Sequence, residues 1–194
     1  MKQEIILRLT AVILFCTLLT QSCSKSSGGD SNASVNYLTA DVNGQSWSAN
    51  VNSTLNNSPA LAVVTSSNGI TVLLLIGIKA VNKDTTAMAV IFPQNITVSK
   101  TYAFNAAQYL EGAYISEIAP GSATYYGYNT TAATGGSGTI TVTQFDQSAK
   151  IVEGTFSGTF GSQQGRPAVQ ITNGKFHCPY TTDVTQLPKT GLKF

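Results

Sequence analysis

From residue 36 onward, apolar side chains recur at every second position in short runs, and turn-forming residues separate the runs. That period belongs to strands, whose side chains alternate between two faces. Asn36 to Val42 and Gln45 to Val51 flank Asn43-Gly44, a dipeptide suited to the two positive φ angles of a type I′ hairpin turn. Trp47 is the expected aromatic anchor of that hairpin. Ala60 to Thr65 and Ile70 to Lys79 flank Ser66-Ser67-Asn68-Gly69, a second hairpin signal. The run from Ile70 to Ile78 is apolar at both parities, as expected of a central strand covered on both faces. Thr86 to Phe92 is a further strand, closed by Pro93.

The pattern weakens between Gln94 and Pro120, where Tyr102 to Phe104 and Gln108 to Ile118 are short strand candidates with room for a short helix. Ala123 to Thr130 predicts a strand, Thr134 to Gly138 a glycine-rich turn, and Thr139 to Phe145 the next strand. From Ile151 to Phe160 the even positions Val152, Phe156 and Phe160 share one face with Gly154 and Gly158, and Glu153, Thr155, Ser157 and Thr159 share the other. Val169 and Ile171 continue an apolar face, but Phe176 and Cys178 have the opposite parity, so a bulge is expected near Asn173-Gly174. Nine or ten strands at hairpin spacing without a βαβ signature predict an all-β fold, an antiparallel β-sandwich or flattened barrel, with the sandwich preferred.

Composition sets the surface. Hydrophobic residues are 42% of the 194, enough for a sizeable core, and charged residues only 10%, against roughly 25% in ordinary soluble domains. Ser, Thr, Asn and Gln therefore supply most of the water-facing polarity.

The first 22 residues predict a lipoprotein signal peptide. Lys2 and Arg8 precede the apolar run Leu9 to Leu19, which is shorter than the roughly 20 residues of a membrane-spanning helix. Leu19-Thr20-Gln21-Ser22-Cys23 resembles a lipobox of the looser kind found in Bacteroidota, with Thr20 where an aliphatic residue is usual. Cys23 is the expected lipidation site, and residues 23–35 an acylated cysteine with a flexible Ser/Gly-rich tether ahead of the domain at 36–194. Several acyl chains hold a protein to a bilayer far better than one. The lipid makes the membrane the expected partner and the cell envelope, at its outer membrane, the expected location. Periplasmic and external orientations both stay open.

Lys2, Arg8 and Glu4 fall in the leader, so the mature chain keeps nine basic and eight acidic residues, a net charge of +1. No Lys/Arg cluster is present to follow a phosphate backbone, which argues against nucleic acid. After processing Cys178 is the remaining free thiol, and the fold must stand without an intramolecular disulfide.

Three motifs carry a resemblance. Ala40 to Ala49 reads A-x-V-N-G-x-x-W-x-A, Ile151 to Phe156 reads I-V-x-G-T-F, and Ile171 to Phe176 reads I-T-N-G-K-F. Together they resemble a family of Bacteroidota cell-envelope lipoproteins with a domain of unknown function, the 6252 type. The resemblance spans most of the chain beyond the tether. It rests on strand and turn residues, so it implies fold and location and no active site.

No cofactor or metal site is expected, because one His and one free Cys cannot build a four-ligand centre without scattered carboxylates. His177-Cys178 has the residue types of a nucleophile and base, but neighbours in a strand face opposite ways, placing Cys178 in the core and His177 outside. Glu111 and Glu117 are the one carboxylate pair worth testing as a glycosidase dyad. Tyr109, Tyr114, Tyr125, Tyr126 and Tyr128 gather in one third of the chain and form the candidate ligand surface, since exposed rings beside amides can stack on sugars. Cross-strand aromatic packing is the competing use of those rings. Asp84-Thr85-Thr86 resembles the short O-glycosylation motif of Bacteroidota envelope proteins and makes Thr85 a possible glycan site. The expected function is a non-enzymatic binding or structural module for a glycan or protein partner. The alternatives are a lipocalin-like carrier, which requires an apolar internal cavity, and then a hydrolase.

Overall fold

A computed structural model describes residues 36–53, 57–67, 69–81, 84–117 and 125–186. The leader, Cys23 and the tether lie outside the described residues. Eleven strands follow one another: β1 (Tyr37–Val42), β2 (Gln45–Ser48), β3 (Ala60–Ser67), β4 (Ile70–Val81), β5 (Asp84–Pro93), β6 (Thr101–Ala103), β7 (Glu111–Glu117), β8 (Tyr125–Asn129), β9 (Ser137–Asp146), β10 (Ile151–Ser162) and β11 (Val169–Thr181). Between them are single 3₁₀ turns at Ala106–Gln108 and Ala132–Thr134, and a third, Val184–Gln186, follows β11.

Two layers result. Sheet A has the order β2-β1-β11-β10-β9-β6, and sheet B the order β3-β4-β5-β7-β8. Two long strands join the layers at both sides. The far end of β10 pairs with β8 at Gly161 and Ser162, and the far end of β11 pairs with β3 at Tyr180 and Thr181. The architecture is therefore an all-β sandwich whose two sheets close on each other as a flattened barrel. The β3–β11 pair is parallel, an exception to the antiparallel expectation that arises because β11 enters sheet B alongside β3 without a hairpin between them. The count exceeds the expected nine or ten because β6 is only three residues long, and the short helix allowed for is a 3₁₀ turn.

Local chemistry explains the turns. Asn43 and Gly44 have φ of 49° and 77° and close the β1–β2 hairpin. In the first half of β11, Gly174 pairs with Phe156 and Ile171 with Gly158, so two residues of β11, Thr172 and Asn173, oppose Ser157. Asn173 takes φ 53° in this bulge. The extra residue lets Val169 and Ile171 before it, and Phe176, Cys178 and Tyr180 after it, all face the core.

Aromatic rings fill the space between the sheets. Phe176 lies between Phe92, stacked on it with centroids 6.0 Å apart, and Phe156, tilted against it at 6.4 Å, and Phe104 meets Phe160 edge-on at 6.4 Å. Glycines make the room: a Cβ on Gly112 would lie 2.5 Å from Phe160, and one on Gly154 would lie 2.5 Å from Phe176. The β1–β2 hairpin packs by the same means, with Leu38 seated on Gly77 of β4. Trp47, 4% exposed, donates its indole N–H to Thr86 Oγ1 at 2.7 Å, which satisfies the polar atom of a buried ring.

Candidate binding face

Register places the outward residues of sheet A in ranks. Thr101 lies opposite Thr141, Thr141 opposite Thr155, Thr155 opposite Lys175, Lys175 opposite Thr39, and Thr39 opposite Ser48. Each has the parity opposite to the core residues of its strand, so one rank of five hydroxyls and one ammonium crosses all six strands. At about 4.8 Å per strand the rank is about 24 Å long. The hydroxyls of Thr101 and Thr141 are 2.7 Å apart. A neighbouring position on five of the six strands continues the polarity, β6 having Ala103 there: Thr139 opposes Ser157, and Thr172 opposes Asp41, which opposes Ser46.

The rank ends in a hollow of about 520 Å³ at the corner of β1, β2 and β11, lined by Thr39, Asp41, Ser48, Asn50, Lys79 and Lys175 among others. A second hollow of about 310 Å³, with Val81, Asp84, Thr86 and an edge of Tyr114 in its wall, lies beside it and shares Ser46, Trp47 and Lys79. Lys79 divides the two, its ammonium 3.3 Å from the Ser46 carbonyl. Several polar groups here are already used. Asn173 donates to Asp41 at 2.7 Å, and Asn50 exchanges two hydrogen bonds with the backbone of Ala80. Lys175 is exposed and makes no hydrogen bond or ion pair among the described residues. The chemistry on offer is hydrogen bonding from neutral hydroxyls around one open cation.

Glu153 and His177 lie beside the rank. Glu153 Oε2 is 3.2 Å from His177 Nδ1, and Tyr37 stacks on the imidazole with centroids 6.0 Å apart. Partial burial and then the Glu153 carboxylate hold the Tyr37 hydroxyl above its usual 10.0.

The tyrosines named from sequence do not form one surface. Tyr114 and Tyr128 oppose each other on β7 and β8 with centroids 6.0 Å apart, and both rings belong to the core at 8% exposure. That corrects their assignment to a stacking platform: on this face of sheet B the tyrosines provide the interior apolar mass. Tyr126 is half-buried, and the Arg166 guanidinium lies 3.5 Å from its ring centroid and donates to its hydroxyl at 2.8 Å, so the chain itself covers that ring. Tyr109 is half-buried with φ 57° at the end of a 3₁₀ turn. Tyr125 pairs with Glu117 through the backbone, and its side chain lies outside those described.

Glu111 and Glu117 stand at opposite ends of β7. Six strand steps separate them by about 20 Å, more than twice the reach of a glycosidase dyad. Cys178 is fully buried, and burial pushes its thiol far above the usual 9.0, while His177 faces the other side of β11. The pair is therefore not assembled as nucleophile and base. Asp84 and Thr85 open β5 and do not sit in a turn: Thr85 is half-buried between Ala80 and Glu117. Among the described residues no three His, Cys, Asp or Glu side chains come together.

No known protein family, characterised protein or solved structure matches the chain.

Proposed function

We propose that this protein is a lipid-anchored envelope module, non-enzymatic, that binds a glycan or an envelope protein through the outer face of sheet A. The observation that carries the reading is the rank from Thr101 to Ser48, which offers hydroxyl donors and acceptors in register across six strands. A chain with so few charges gains affinity from hydrogen bonds and contact area more than from ion pairs. The anchor rests on the leader, Cys23 and the tether, and on the likeness to Bacteroidota envelope lipoproteins. The rings of Phe92, Phe156 and Phe176 occupy the space that a lipocalin-like carrier would keep for its ligand, which favours external binding over carriage.

Two measurements test the proposal. Cys23→Ala should leave the protein folded and move it from the detergent phase to the aqueous phase; retention with membranes after a high-salt wash argues against the anchor. Affinity electrophoresis through gels containing single neutral polysaccharides should retard the wild type. Thr155→Val with Lys175→Ala should abolish the retardation at unchanged thermal stability. Equal retardation of both proteins by every polysaccharide that slows the wild type would place binding elsewhere.

A further inference from the structure

Charge is unevenly used on the outer face of sheet A. The carboxylates of Asp41 and Glu153 are both held by donors of the chain itself: Asp41 accepts from Asn173 at 2.7 Å and from Ser46 at 3.4 Å, and Glu153 lies 3.2 Å from the His177 imidazole. The cations differ. Lys175, opposite Thr155 on one side and Thr39 on the other, is exposed and meets no carboxylate among the described residues. Lys79 donates to the Ser46 carbonyl and meets no carboxylate among them either. Both lysines line the hollow of about 520 Å³ at the corner of β1, β2 and β11, against Asp41 as the one acidic residue in its wall.

That imbalance selects a ligand. A hydroxyl of a neutral sugar suits a threonine, but an ammonium that gives up water for a hydroxyl loses part of the hydration of a full charge, and a carboxylate restores it. The rank around Lys175 has no large apolar side chain, which the centre of a protein interface uses, so a glycan is the favoured partner. The hollow falls within the roughly 300–1,000 Å³ of small-molecule sites, room for a sugar ring. We propose that it takes a hexuronate residue of an acidic polysaccharide, its carboxylate paired with Lys175, with Thr39 and Thr155 as flanking hydroxyl donors and Lys79 as a second positive charge. This rests on glycan binding by the rank and adds the charge of the preferred sugar. One exposed ion pair contributes little affinity; it discriminates among glycans, and the hydroxyls supply the rest.

Affinity electrophoresis of the full chain tests this in gels containing polygalacturonate or alginate, each beside its methyl ester, which keeps the rings and hydroxyls and removes the charge. The wild type should bind the acid several-fold more tightly than the ester, and added salt should shrink that excess. Lys175→Gln should lose the excess and keep the retardation by the ester, Lys175→Arg should keep both, and Lys150→Gln, which removes a lysine at the distant β9–β10 turn, should behave as the wild type. Equal retardation by acid and ester would overturn the preference and leave the rank as a binder of neutral glycans. An excess lowered as much by Lys150→Gln as by Lys175→Gln would overturn it too, because the attraction would then belong to overall charge. Dextran sulfate retarding the wild type as strongly as both uronates would overturn the assignment to a carboxylate. No retardation in any gel, acidic or neutral, would overturn both this proposal and glycan binding by the rank, leaving a protein partner.

Discussion

The two outer faces of the sandwich use nearly the same side-chain shapes for opposite ends. Thr39, Thr141 and Thr155 project from sheet A, and Val63, Val72 and Ile76 project from sheet B. Thr and Val differ by a hydroxyl in place of a methyl, and both are β-branched residues that favour strands. Strand formation is therefore indifferent to the exchange, and the hydroxyl content of each face records what lies beyond it. Sheet A has the hydrophobic-in, polar-out alternation of a layer that meets water, and sheet B is apolar on both sides, as a covered layer is.

The largest effect is expected from charging one position on each face. Val63→Asp would bury an unpaired carboxylate at a site 1% exposed and should cost about 3–5 kcal/mol. Thr155→Asp, exposed and opposite Lys175, should stay within about 0.5 kcal/mol of the wild type. Urea unfolding measures both; similar losses from the two would end the distinction between the faces. A smaller effect is expected from Asn173→Val, because a β-branched side chain resists the φ of 53° that the β11 bulge requires. A loss of roughly 1–2 kcal/mol is expected, seen as a lower urea midpoint. An unchanged midpoint would mean that the bulge does not depend on this residue.

The smallest effect is on pH dependence. Cys178, Tyr37 and Tyr180 all hold their protons more tightly when folded, chiefly through burial. The unfolded chain releases those protons first, so stability is complete below the ordinary values and falls as pH rises past them. The decline should begin near the usual thiol value of 9.0 and steepen past 10.0, where the two phenols join. Thermal melts across that interval should show the early part of the decline missing in Cys178→Ala. A decline that begins equally early in the variant would remove the thiol from the account.

The sequence shows these features unequally. Asn43-Gly44 announces its hairpin because few other dipeptides accept two positive φ angles, and the parity change between Ile171 and Phe176 announces the bulge because a strand cannot otherwise keep both inside. The tyrosines were ambiguous for a physical reason. In Tyr125-Tyr126-Gly127-Tyr128-Asn129 both parities carry rings, so periodicity cannot say which face is inner; the pairing of Tyr114 with Tyr128 decides it. The hydroxyl rank was invisible for a related reason. Its members come from six separate strands, and only cross-strand register aligns them. The bend of β10 and β11 from one sheet into the other likewise depends on pairings far apart in the chain.

That bend also governs how the molecule behaves in a crowd. β10 and β11 join sheet A to sheet B at both sides through two residue pairs each, so the strands that end the whole order are short ones, β2 of four residues and β6 of three. A bare strand margin is a template for adding a strand from another molecule, and short margins offer poor templates. Lys79 obstructs the β2 margin further by placing its ammonium on the Ser46 carbonyl, one of the groups an incoming strand would use. Proteins tethered by lipid share a thin layer and meet their own copies far more often than they would in free solution. Were the proposed anchor to hold this sandwich in such a layer, its short end strands, one with an ammonium on its outer carbonyl, would offer neighbouring copies poor templates for strand addition.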